Sequence, residues 1–181
     1  MDVAILVIWA VFWVGWLIAA LAAKPSLRRR RPARPIGLLI IVAGAIVIRA
    51  AGAGRPGGLL FHPWWARGIG AALVLCGLGI AVWARVTMGR NWGMPMTQRE
   101  EPELVTGGPY HLIRHPIYSG IVLATVGTAL AVSLGWLFVA AVMGVYFGYC
   151  ATVEEQTLVA EFPDAYPGYQ AQTKMLIPFI L

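Results

Sequence analysis

Residues 116–155 read PIYSGIVLATVGTALAVSLGWLFVAAVMGVYFGYCATVEE, and this stretch decides the fold. It consists of two apolar runs, Pro116 to about Val132 and Gly135 to about Val153, joined at Ser133-Leu134-Gly135. Two such runs with a tight turn between them predict a helical hairpin in a membrane. Pro116 suits a first helical turn, where its missing N–H costs little. Ala140, Gly144 and Gly148 form a small-residue stripe that permits close packing, within the chain or against a second copy. A hairpin returns its two open ends to one side of the bilayer. Arg114-His115-Pro116-Ile117-Tyr118 is therefore expected to meet Glu154-Glu155. A cation, an imidazole, a phenol and two carboxylates would converge there. Ionisable groups at membrane depth are expensive, which points to function. The plainer alternative is that they end two helices among water and headgroups.

The rest of the chain agrees with a membrane setting. Of 181 residues, 59% are hydrophobic and 12% charged, with mean hydropathy +0.73. A soluble domain carries about twice that share of charge. Working back from the hairpin, Pro63 to about Met88 is a further apolar helix, with Trp64 and Trp65 at one end and Trp83 near the other as interfacial anchors. Ile36 to about Ala53 is another, interrupted by Arg49, which is expected to snorkel to the boundary. Val3–Ala23 is the first, with Trp9, Trp13 and Trp16 on one face. Its start lacks positive charge and its apolar stretch is too long for a leader, so a retained helix is expected rather than a signal peptide.

The fold class that follows is an all-α integral membrane protein of about five transmembrane helices, with a C-terminal helical hairpin. The chain reads as one membrane domain, 1–181. Residues 1–62 hold two N-terminal helices and a basic loop. Residues 63–181 form the core: a polar segment 89–115, the hairpin 116–153 and an amphipathic C-terminal segment 154–181. The polar segment is too hydrophilic to span, so it lies in water or over a cavity at the membrane surface.

The formal net charge is +6, from 14 Lys+Arg against 8 Asp+Glu. Six of the bases fall in Lys24–Arg34, between two apolar helices. That clustering is a topology signal, not a nucleic-acid patch. It places the loop inside, the N-terminus outside, and the polar segment and C-terminus in the cytoplasm, in the cell membrane. Cys76 and Cys150 sit in apolar runs and are expected to pack. There is neither a disulfide framework nor a Cys/His metal spacing, and no metal is expected. Arg85 and Arg90 are expected to end the third helix at the headgroups, and His62 and His111 to lie in loops or at the surface. Gly89, Gly108 and Gly120 are assigned to backbone geometry or close helix approach.

The stretch from Glu103 to Gly120, ELVTGGPYHLIRHPIYSG, followed by Glu154-Glu155 and then Leu158, Phe162, Tyr166, Tyr169 and Ile177-Pro178, resembles the isoprenylcysteine carboxyl methyltransferase and phospholipid methyltransferase family. Met88-Gly89-Arg90-Asn91-Trp92 is similar to the start of that family's polar segment. The likeness covers about Gly89 to Pro178. In the family pattern the Glu-Glu pair ends a later helix. The resemblance implies S-adenosylmethionine as methyl donor, bound in a cytosolic cofactor pocket made by the polar segment, the hairpin ends and the C-terminal segment. It implies that Tyr110, His115, Tyr118 and Glu154 line the donor pocket, with main-chain groups of Leu104 and Val105 adding to it. It implies that Arg114 and Glu155 stand nearer the reacting groups.

Those residue types suit the chemistry. Methyl transfer from a sulfonium is an in-line displacement that needs alignment and a matched electrostatic environment. Glu154 is suited to the amino group of the donor's methionine moiety. The rings of Tyr110 or Tyr118 are suited to the adenine or the sulfonium. Arg114 is suited to orienting a carboxylate acceptor. For an amine or thiol acceptor, Glu155 or His115 could serve as base. The expected partners are a lipophilic small molecule or lipid-modified acceptor and membrane lipids; the oligomeric state is open. Two other classes fit the helices. One is a sterol-reductase-like membrane oxidoreductase using NADPH; the other is a non-enzymatic membrane module.

Overall fold

The computed structural model describes residues 2–20, 26–29, 63–92, 97–99 and 103–178. The expected helix from Ile36 to about Ala53 and most of the basic loop lie outside the described residues. Five α-helices are described: α1 (Asp2–Ala20), α2 (Trp64–Met88), α3 (Pro116–Ala131), α4 (Trp136–Glu161) and α5 (Tyr166–Gln172). Single 3₁₀ turns cover Gly89–Asn91 and Gly108–His111. An unexpected pair of short strands joins them. β1 (Ser26–Arg29) and β2 (Thr97–Arg99) run antiparallel, with Arg28 opposite Gln98 and Arg29 opposite Thr97. The pairing ties the chain beyond α1 to the polar segment.

By length and composition α1, α2 and α4 can each cross a membrane. Helix α3 is shorter, at 16 residues, or about 24 Å at the usual rise. A hydrocarbon core is about 30 Å thick. The deficit is tolerable because α3 is wrapped by its neighbours, with Ile121, Ala124, Thr125 and Thr128 all buried.

Small residues bring α2 and α3 together. A β-carbon at Gly70 would stand 2.6 Å from Gly127 O, and one at Gly127 would stand 2.6 Å from Gly70 O. One at Gly120 would stand 2.5 Å from Gly77 O, and one at Gly77 would press on Gly120 O. The two helices therefore meet backbone to backbone at two places, seven residues apart on each. Tight dispersion contact is what membrane helices have in place of a hydrophobic drive. Gly120 thus has the close-approach role expected of it. The Gly144 and Gly148 stripe on α4 does not pack within the described chain, since a β-carbon at either would meet nothing within 4 Å.

Helix α1 adds an aromatic column. Trp9 stacks on Trp13, Phe12 lies against Trp16, and Trp16 meets Trp92 of the polar segment edge-on at 5.6 Å. The Trp9 indole N–H donates to Thr128 Oγ1 at 3.0 Å, and that hydroxyl donates onward to Ala124 O. Thr128→Val keeps the shape and removes the acceptor. A loss of about 1 kcal/mol is expected, measurable by denaturant titration in micelles.

One boundary differs from expectation. The last long helix does not stop near Val153 but runs to Glu161. Residues 156–161 are compatible with helix, and the stop falls at Phe162, which precedes Pro163 and is pushed out of the helical region by it. Glu154 and Glu155 are therefore held inside a helix rather than at its end. Adjacent helical positions point about 100° apart, so the two carboxylates address different neighbours.

Candidate functional site

The hairpin does bring the expected residues together. Its open end is closed by the C-terminal segment, which lies along the Arg114-His115 backbone. Arg114 N–H donates to Lys174 O at 2.8 Å and His115 N–H to Met175 O at 3.1 Å. Ser119 Oγ donates to Leu176 O. Met175 and Leu176 then pack on the core.

Arg114 and Glu155 form the buried part. Arg114 Nε donates to Glu155 Oε1 at 2.6 Å, with both side chains about nine-tenths buried. Arg114 Nη1 donates to Gln170 O at 3.2 Å and also to Thr173 O. The guanidinium thus caps carbonyls at the end of α5, where helix carbonyls lack partners and positive charge is favoured. Gln170 Nε2 donates to Glu155 Oε2 at 2.8 Å.

His115 and Glu154 form the adjoining part. Tyr118 OH donates to Glu154 Oε1 at 2.7 Å. The His115 ring lies between the two carboxylates, with Nδ1 3.5 Å from Glu154 Oε2 and Nε2 3.4 Å from Glu155 Oε1. Nε2 is buried without a well-formed hydrogen bond. The ring stacks on Tyr118, which stacks on Phe147 at 4.5 Å. Glu154 keeps 26% of its side chain exposed, against 10% for Glu155.

The remaining expected residues flank this centre. Tyr110 is buried in the 3₁₀ turn, and its carbonyl accepts from Tyr169 OH at 2.6 Å. Burial pushes the Tyr169 phenol up to about 12, and burial raises those of Tyr110 and Tyr166 further. All three stay protonated, so Tyr169 is a hydrogen-bond donor throughout the working pH range. Leu104 and Val105 lie half-buried in irregular chain leading to that turn. Gly108 has φ +60, and a β-carbon there would stand 2.8 Å from Thr87 Oγ1, so the turn presses on α2. Beyond Tyr169 a cavity of roughly 530 Å³ opens, lined by Thr106, His111, Gly168, Gln172 and Thr173. It adjoins the centre without being lined by His115 or Glu154.

Arg85 is a correction. It does lie in the last turn of its helix, but it is buried inside the protein, at 9% exposed. It donates to Gly89 O and to Ala19 O, both at 2.7 Å, and lies 4.5 Å over the Trp92 ring. The ends of α1 and α2 both offer carbonyls there, and one buried cation serves both. Sequence reasoning also missed Phe147 and Gln170. Neither carried a signal: one is an aromatic in an apolar run, the other a polar residue in an amphipathic segment. Among the described residues no cluster of His, Cys, Asp or Glu could hold a metal.

An apolar helical bundle whose ionisable residues gather at one end of a hairpin defines a membrane protein with a polar site at its boundary. The family model described as phospholipid methyltransferase matches residues 65–165, and the chain belongs to this family. Among curated relatives, Protein-S-isoprenylcysteine O-methyltransferase B of Arabidopsis thaliana is 29% identical over 68% of this chain and 64% of its own length. Methanethiol S-methyltransferase 1 of Bradyrhizobium diazoefficiens is 36% identical over 43% of this chain and 27% of its own length. The solved eukaryotic intramembrane Ras methyltransferase ICMT superposes with TM-score 0.65 at 26% identity, covering 83% of this chain and 55% of the other. The chain spans a little under two thirds of the plant relative's length and about half of the solved one's.

Proposed function

We propose that this protein is a membrane methyltransferase that passes a methyl group from S-adenosylmethionine to a lipophilic acceptor arriving from the bilayer. The observation that carries this is the partly exposed Glu154 carboxylate, held by Tyr118 beside a His115–Tyr118–Phe147 ring stack. These residues fit such a donor. A carboxylate with exposed surface can take an ammonium, and a buried imidazole nitrogen beside it lacks a well-formed bond. The donor supplies a methyl group already activated by positive sulfur.

The chain's own residues then bind, orient and exclude water. Glu154 holds the donor's amino group, and Tyr118, its ring stacked with His115 and Phe147, fixes that carboxylate through its hydroxyl; Tyr110 and main-chain groups of Leu104 and Val105 complete the binding. Arg114 already donates to Glu155 and to two carbonyls. We therefore assign the Arg114–Glu155 pair to fixing the site beside the acceptor. Acceptor chemistry is a carboxylate, a thiol or an amine; the relatives named above include both O- and S-methyltransferases. The basic Lys24–Arg34 loop supports a cytoplasmic site, with the N-terminus outside.

The relatives' names favour methyl transfer over the NADPH-dependent reductase alternative. The test is transfer of a labelled methyl from S-adenosylmethionine into organic-extractable material in membranes overproducing the protein. Glu154→Gln is expected to lower transfer about 100-fold, the size of effect seen when a positioned charged contact is removed. Transfer unaffected by Glu154→Gln would refute the assignment.

A further inference from the structure

Glu155 stands on a helix interior with both carboxylate oxygens engaged, Oε1 by Arg114 and Oε2 by Gln170. A terminal carboxylate torsion is broad and two-fold, so one hydrogen bond leaves the group free to rock. Two bonds, one to each oxygen, pin its plane. With the plane pinned, Oε1 faces His115 Nε2 at 3.4 Å, and the other ring nitrogen faces Glu154 Oε2 at 3.5 Å. Gln170 also offers its carbonyl to Arg114 Nη1. One residue of α5 thus holds both members of the buried pair. Its amide must present NH₂ to Glu155, because a carboxylate only accepts.

We propose that Gln170 is a positioning residue, whose side-chain amide sets the Glu155 carboxylate and, through it, the orientation of the His115 ring beside Glu154. The effect on turnover rests on the methyltransferase reading; the effect on His115 does not. Partners at this remove typically change activity or affinity 10- to 100-fold, by analogy with groups that orient metal-binding histidines.

Three variants separate positioning from bulk stability. Gln170→Leu keeps the volume and removes the donor. Gln170→Lys keeps a donor. Gln170→Glu offers a donor only when its new carboxyl is protonated. The first measurement is the ring ¹⁵N spectrum of histidine-labelled protein in micelles, with the His115 signals identified by substitution. The His115 signals are expected to shift in Gln170→Leu and to stay near the wild-type positions in Gln170→Lys. Unchanged His115 signals in Gln170→Leu overturn the proposal, whatever the activity. The second is turnover: about a 10-fold drop in kcat for Gln170→Leu with the thermal midpoint retained, and near-normal kcat for Gln170→Lys. Relative to wild type, Gln170→Glu should gain activity as pH falls from about 8 to about 5.5, where its carboxyl begins to protonate beside Glu155. Equal turnover in all three variants also overturns it. Wild-type protein that binds no S-adenosylmethionine would sink the methyltransferase reading instead, and the His115 signals would still decide the role of Gln170.

Discussion

Arg114→Ala is expected to abolish methyl transfer and to destabilise the fold by about 3–5 kcal/mol, the usual result of breaking one side of a buried ion pair. The size follows from what the guanidinium touches. It donates to Glu155, to Gln170 O and to Thr173 O. Removing it leaves a carboxylate about nine-tenths buried, with Gln170 as its remaining hydrogen-bond donor of good geometry. It also strips the end of α5 of its capping cation, so the strap that holds His115 N–H at Met175 O loosens. Arg114→Lys should rescue little, because a point charge cannot reproduce the planar fork. Thermal unfolding in micelles and a transfer assay check both parts. Arg114→Ala at wild-type stability would show that the pair is not structural.

The second large effect concerns the helix crossing. Gly77→Leu should cost about 3 kcal/mol or more, at or beyond the upper end for overpacking. A β-carbon there meets backbone rather than a movable side chain, with Ala124 N only 2.6 Å away. The only relief is to separate α2 from α3. That displaces Pro116 and with it the His115–Tyr118 side of the site, so transfer should fall together with stability. Gly144→Leu is the control. Among the described residues nothing lies within 4 Å of a β-carbon there, so stability should hold within about 0.5 kcal/mol. Denaturant titration of both variants separates the two cases. Comparable losses would mean that α4 packs there against something other than the described residues.

That contrast shows what could be read from the sequence. Glycines at small-xxx-small spacing were visible on α4, but the spacing says nothing about which face another helix covers. The close crossing uses Gly70 and Gly77 against Gly120 and Gly127, a seven-residue spacing diluted among other small residues. The meeting of Arg114–Tyr118 with Glu154–Glu155 was legible, because a hairpin needs only two apolar runs and a turn. The detailed partners were not. Arg114 binds carbonyls of Gln170 and Thr173, and carbonyls have no sequence signature. Arg85 read as a boundary residue because its partners, Ala19 O and Gly89 O, come from two separate helix ends. The end of α4 was legible in Pro163, but the polar Glu154-Glu155 pair suggested an earlier stop.

Calorimetric titration of S-adenosylmethionine into wild-type and Glu154→Ala protein in lipid nanodiscs bears most directly on the proposed site. A micromolar to millimolar dissociation constant for the wild type, the range over which enzymes usually engage substrates, and at least a 10-fold weakening in Glu154→Ala are expected. No binding by wild type, or equal binding by both proteins, would contradict a donor site built on Glu154 and the His115–Tyr118 stack.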